Sequence, residues 1–105
     1  MDEKGFLSFL GLAARAGAVV SGFDACKEAL TSGQAHLVLT DGELSEAQRE
    51  KLQNLCLQAN VPLIGCSATM DLGYAIGRPG RKIVAITREG FAEKMIDVLN
   101  SGVAK

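Results

Sequence analysis

SGFDACKEALTSGQAHLVLT, residues 21–40, decides the fold of this chain. Ser21 and Gly22 open a turn, and Phe23, Cys26 and Leu30 then recur at helical spacing, with Lys27 and Glu28 toward the other side. Gly33 stops the helix, and HLVLT follows at once as a compact apolar strand. A glycine-closed amphipathic helix leading straight into a buried strand is one unit of a layered α/β fold. The start of that helix also leaves backbone N–H groups unpaired beside a flexible glycine. Such a place can hold a phosphate or the edge of a nucleotide.

The same pattern extends in both directions. Upstream, Phe6, Phe9, Leu10 and Ala13 predict a helix reaching about Arg15, closed by Gly17, and residues 18–20 read as a small strand. Downstream, Asp41, Gly42 and Ser45 mark a loop and an N-cap, with Gln48 in the reciprocal position of a capping box. Leu52, Leu55, Cys56 and Ala59 give the next helix its buried face, Asn60 ends it, and residues 61–66 form a strand. A fourth helix is predicted over 69–76, with Leu72, Ala75 and Ile76 inward, before Gly77, Pro79 and Gly80 break it. Residues 83–87 make the last strand, Phe91, Met95, Val98 and Leu99 the last helical stripe, and 101–105 a fraying tail. The runs LVL, PLI and IVAI lack clean alternation, as strands covered on both faces do. The expected architecture is therefore an α/β fold: a three-layer α/β/α sandwich with a small mixed four-stranded sheet. A single domain spans 1–105, and residues 36–66 form a right-handed crossover between parallel strands.

Composition narrows the function. Apolar residues make up 48% and charged residues 22%, the balance of a globular chain rather than a disordered one. The net charge of −1 argues against a protein that coats nucleic acid by charge alone. The charge is uneven: residues 1–60 carry 5 Lys and Arg against 8 Asp and Glu, whereas residues 61–105 carry 6 against 4. Arg78, Arg81 and Lys82 form a local basic knot in the second part. With four Phe, one Tyr and no Trp, the aromatic platforms of single-strand binders are not expected. Cys26, Cys56 and Cys66 are odd in number and form no C-x-x-C, which disfavours zinc and dithiol chemistry and suits a reducing cytosol. The opening MDEKGFLSFL is acidic and has too short an apolar run for a secretory signal. No stretch reaches the length of a membrane span, so a cytoplasmic protein is expected, with no membrane partner and no metal or cofactor.

In that order of elements, FLGLAARAGAVVSG, SGQAHLVL, NVPLIG and DLGYAIGRPGRKIVAIT carry a resemblance. The chain resembles the ribosomal L-seven-Ae and L-thirty-e family from about Phe6 to Phe91, and is most similar to its bacterial YlxQ-like, ribosome-associated branch. The resemblance implies an α/β/α sandwich that binds kink-turn or related stem–internal-loop RNA, without catalysis and without a cofactor. RNA-binding members read through a Gly-x-Asn-Glu-x-x-Lys motif at the start of the second helix. Here Gly22 matches the glycine and Phe23 the variable position, while Asp24 stands for Asn, Ala25 for Glu and Glu28 for Lys. The replacements change the chemistry. An ionised Asp24 only accepts hydrogen bonds, Ala25 offers no polar side chain, and Glu28 puts negative charge where the motif has a cation. Lys27 lies about 100° around the helix from position 28. The family's second contact, the loop before the last strand, is present as GRPGRK and is basic.

The candidate RNA-binding residues are Ser21, Gly22, Phe23, Asp24 and Lys27 with Gly77, Arg78, Gly80, Arg81 and Lys82. Several have plainer readings. Ser21 caps the helix through its hydroxyl, Phe23 belongs to the core with Cys26 and Leu30, and Asp24 complements the helix dipole. GRPGRK lacks the Lys-Ser/Thr ending of a nucleotide-hydrolysing loop. Arg15 either extends the basic patch or complements the end of its own helix. His36 has no nucleophile beside it and reads as a strand-edge residue near the RNA face, and Cys66 as a buried spectator. Asp41 and Glu43 are too few for a hard cation. No acid–base or nucleophile pair is visible, so no enzyme and no catalytic residue are expected. RNA, ribosomal or kink-turn-like, is the expected partner, with the ribosome or its assembly factors in addition and DNA not expected. The alternative is a protein–protein adaptor that kept the scaffold and lost the reading residues.

Overall fold

A computed structural model describes residues 2–42, 44–67 and 69–101. Among the described residues nine elements follow one another: α1 (Glu3–Arg15), β1 (Val19–Ser21), α2 (Phe23–Thr31), β2 (Leu37–Thr40), α3 (Glu46–Ala59), β3 (Leu63–Gly65), α4 (Leu72–Ala75), β4 (Ile83–Ile86) and α5 (Glu89–Asn100). The strands form one sheet in the order β1-β4-β2-β3. β4 runs antiparallel to both β1 and β2, and β2 is parallel to β3, so the sheet is mixed. All four residues of each central strand, β2 and β4, are buried, while the edge strands are only half-covered.

The layers follow from the two-residue period of the strands. Leu37 and Leu39, with Val84 and Ile86, face one way and pack against Phe6, Leu10, Leu72, Met95 and Leu99 of α1, α4 and α5. Val38, Ile83 and Ala85 face the other way, onto Cys26, Leu30, Leu52 and Cys56 of α2 and α3. Both faces of the sheet are therefore dry, and the architecture is the three-layer sandwich expected.

Boundaries moved where tertiary contacts outrank local pattern. β1 extends through Ser21 instead of stopping at Val20, because Ser21 pairs with Val84. β3 is shorter than the expected 61–66, since only Leu63, Ile64 and Gly65 have partners on β2. α4 keeps just Leu72–Ala75 of the expected 69–76. Its N-terminal part is spent elsewhere: Ser67 Oγ and Thr69 Oγ1 lie 2.7 Å apart, and the Thr69 hydroxyl donates to Glu3 Oε1 at 2.9 Å, tying this loop to α1. The expected tail beyond Ser101, and Glu43, lie outside the described residues.

Candidate nucleic-acid interface

The candidate interface lies where β1 hands over to α2. Gly22 N–H extends the sheet by donating to the Ile83 carbonyl at 2.9 Å, and Gly22 then turns at φ +92°, ψ 157°. That conformation belongs to glycine; a residue with a Cβ adopts it at a cost of about 1–3 kcal/mol. The first bond inside α2 runs from Cys26 N–H to the Gly22 carbonyl at 3.0 Å. The N–H groups of Phe23, Asp24 and Ala25 come before that ladder, and the N-cap residue has no side chain to receive them.

A second segment arrives from sixty residues away. α4 closes with Gly77 N–H on the Tyr74 carbonyl at 3.1 Å and Arg78 N–H on the Gly73 carbonyl at 2.8 Å, the paired bonds of a Schellman motif. Pro79 and Gly80 then occupy the centre of a turn closed by Arg81 N–H on the Arg78 carbonyl at 3.2 Å, with Gly80 at φ +90°. The loop lies directly on α4: a Cβ at position 73 would stand 2.6 Å from the Arg78 carbonyl oxygen and 2.8 Å from Arg81 N. Arg81 reaches back to β1, where its Nη1 donates to the Ser21 carbonyl at 3.0 Å. Its guanidinium occupies the space over Gly22, and a Cβ at position 22 would collide with Nη1. The helix start and the arginine loop thus share one corner.

Of the residues singled out in the sequence, Gly22, Asp24 and Lys27 share the helix start, with Asp24 and Lys27 exposed. Arg78, Gly80 and Arg81 are exposed on the loop, as is Gly77. Ser21 is not the cap: it is the last residue of β1, the N-cap position falls to Gly22, and the Ser21 carbonyl receives Arg81. Phe23 is half-buried and packs on the α2–α3 core, in line with its helical stripe. Lys82 turns toward β2. Its Nζ lies 3.8 Å from Asp41 Oδ2, and its carbonyl accepts Asp41 N–H at 3.1 Å. His36 corrects the expectation that placed it near this face. Its N–H bonds the Ile86 carbonyl at 2.8 Å, at the opposite end of β4 from Ile83. Arg15 lines a groove between α1 and α4.

The three thiols are free and buried. Burial pushes Cys26 up to about 12, with the nearby Cys56 adding to the effect, and pushes Cys56 and Cys66 up to about 11. Protonated thiols in apolar surroundings are poor nucleophiles. Sequence reasoning missed two groups at this end of the sheet. Gly73 is one, and the string DLGYAIG hinted at it by placing a glycine inside a helix. The other is Arg49, exposed on α3, whose Nη2 donates to the Gly42 carbonyl at 3.4 Å; nothing in its local sequence announced that contact.

Comparison with known proteins adds the lineage. The model of the Ribosomal protein L7Ae/L30e/S12e/Gadd45 family matches residues 6–96. The chain belongs to that family. It is 37% identical to RNA-binding protein YlxQ of Bacillus subtilis (strain 168) over 100 residues, covering 95% of this chain and 100% of that protein. RNA-binding protein YlxQ of Enterococcus faecium is 26% identical over 93 residues, 89% of each chain. Among solved structures, a Bacillus halodurans protein described as of unknown function superposes with a TM-score of 0.85 at 29% identity, over 90% of this chain and 96% of its own. A Giardia lamblia 15.5kD RNA binding protein shares the fold, with a TM-score of 0.73 at 16% identity over 90% and 84% of the two chains. The family match takes in every element from Phe6 onward through most of α5, so both segments of the corner lie within it.

Proposed function

We propose that this chain is a small non-catalytic RNA-binding protein, associated with ribosomes or their assembly, that holds a kink-turn-like or other structured RNA across the Gly22 corner. The observation that carries the reading is the seating of the Arg81 guanidinium over Gly22, 3.0 Å from the Ser21 carbonyl. It puts a cation, a run of unladdered N–H groups and an exposed carboxylate, Asp24, within one surface. Arg78 and Arg81 supply donors for phosphates, which position an RNA, and the amides and Asp24 supply the groups that discriminate bases. The RNA-binding names of the two YlxQ relatives support the same reading. With Asp24, Ala25 and Glu28 in the motif positions, recognition rests more on RNA shape and phosphate placement than on a shared base-reading code.

Filter titration of kink-turn and ribosomal RNA fragments at two salt concentrations tests the proposal. Each phosphate contact contributes about −0.7 to −0.9 to the salt slope. Binding that weakens with salt, and weakens further in Gly22→Val and Arg81→Ala, is the expected result. No binding at low salt, with both variants indistinguishable from wild type, refutes it.

The second reading, a protein–protein adaptor on this scaffold, draws on Asp24 and Glu28 exposed along α2 and on Leu57, 80% exposed on α3. Its mark is a single protein partner retained after ribonuclease treatment.

A further inference from the structure

The α1–α4 face carries a groove that the Gly22 corner does not use. Its volume is about 610 Å³, within the range of small-ligand sites. Gly11 lets the two helices approach closely: a Cβ there would stand 2.9 Å from the Ala75 carbonyl oxygen. Leu7 adds apolar surface, and Tyr74 stands in the groove at 75% exposure, on a helix whose neighbouring residues Leu72 and Gly73 are buried. Lys4 and Arg15, both exposed, line the same groove. Two carboxylates balance them: Glu3, which accepts the Thr69 hydroxyl, and Asp71, which accepts Tyr74 N–H at 3.0 Å, so the cationic character lies locally at Lys4 and Arg15. An aromatic ring, an apolar floor and flexible cations suit a flat, apolar-faced ligand joined to an anion, which is the chemistry of a nucleotide.

The backbone of α4 links the groove to the proposed RNA contact. The Tyr74 carbonyl accepts Gly77 N–H in the turn that launches the Arg78–Arg81 loop, and its neighbour Gly73 carries that loop on its own backbone. We propose that the α1–α4 groove takes an unpaired nucleotide of the RNA held at the Gly22 corner, its base stacked on Tyr74 and its phosphate met by Arg15. The proposal rests on the RNA reading above, and it assigns a single-stranded segment leaving the structured part as the occupant. Each stacked base contributes about 1–3 kcal/mol by alanine substitution, which is roughly a fivefold to hundredfold gain in affinity.

Tyr74 is the only tyrosine and the chain has no tryptophan, so its emission reports this groove alone. The experiment titrates the full chain with a kink-turn hairpin, the same hairpin bearing a short single-stranded adenosine tail, and free oligoadenylate. The measured quantity is the ratio of tailed to tailless affinity, together with quenching of Tyr74. Wild type gains at least fivefold from the tail, with quenching; Tyr74→Phe keeps the gain; Tyr74→Ala brings the ratio to one; Arg15→Ala lowers the ratio and its salt dependence. A ratio of one in wild type, an unquenched Tyr74, or a gain that survives Tyr74→Ala overturns the proposal. If the tailless hairpin fails to bind while oligoadenylate still quenches Tyr74, the Gly22 reading falls and the groove stands; the reverse pattern overturns the groove alone.

Discussion

α2 and α3 begin with the same physical problem and meet it in opposite ways. Each opens with N–H groups that have no acceptor inside the helix. At α3 the chain answers locally: Ser45, in extended conformation, turns its Oγ onto Gln48 N–H at 3.2 Å. At α2 the corresponding position is Gly22, which has no side chain; Asp24 supplies a carboxylate in the first turn, and a remote loop brings the Arg81 guanidinium onto Gly22. A guanidinium beside the positive end of a helix gains nothing from the dipole. Both features favour an anion there, set against the Asp24 carboxylate already in the first turn, whereas at α3 Ser45 satisfies one of the open donors. One start is capped by its own side chain, and the other has no side-chain cap.

Substitutions that erase this contrast should have effects of graded size. The largest belongs to Gly22→Val. A Cβ must take up φ +92° and displace Arg81, so urea denaturation should register a loss of about 1–3 kcal/mol, and RNA affinity should fall at least about tenfold. Gly22→Ser sharpens the point, because it offers a capping hydroxyl yet meets the same backbone cost. If it proves as stable as wild type, the bare helix start has no conformational reason behind it.

Arg81→Ala comes next. It should reduce affinity by about tenfold and lower the salt slope by about one phosphate, while stability, for an exposed side chain, changes by about 0.5 kcal/mol or less. An unchanged salt slope would remove Arg81 from the interface. Ser45→Ala provides the opposite signature: about 1 kcal/mol of stability lost, as for other N-caps, with RNA affinity unmoved. The smallest effect at neutral pH comes from the thiols beneath both helices, Cys26 on α2 and Cys56 on α3. The folded state holds their protons up to about 12 and 11, against 9.0 for an ordinary thiol. Folding therefore gains from them fully below 9, and that gain is lost as pH rises from 9 through the folded values. Thermal melts across this alkaline window should decline less steeply in Cys26→Ala than in wild type, and a thiol reagent at neutral pH should react only as the chain unfolds.

What could be read from the sequence was mostly local. Ser45 with Gln48, Asn60 at φ +58°, and the stripe of Phe23, Cys26 and Leu30 all act within a helical turn or two of themselves, and the structure places them as their spacing implied. The layer arrangement was legible too, because β2 and β4 are apolar on both sides. The failures share one cause. Ser21 reads as a cap until β4 supplies Val84 as its sheet partner, sixty-three positions away in sequence. The segment before Leu72 reads as helix until Glu3 accepts the Thr69 hydroxyl. At the corner, glycine and arginine were each visible as candidates, but the contact between them joins residues separated by 59 positions, and no local pattern encodes it. The approach of Lys82 to Asp41 is non-local in the same way, since it depends on β2 and β4 being neighbours.

The sheet order has a consequence for how the molecule comes into being. Among the described residues, β4 lies between β1 and β2 and joins them. Until it has left the ribosome, β1 has no neighbour to pair with, and the glycine corner has neither its anchoring carbonyl at Ile83 nor its arginine. Closing a loop of that length carries its entropic cost before any contact repays it. A folding chain therefore lacks this corner until β4 takes its place between β1 and β2.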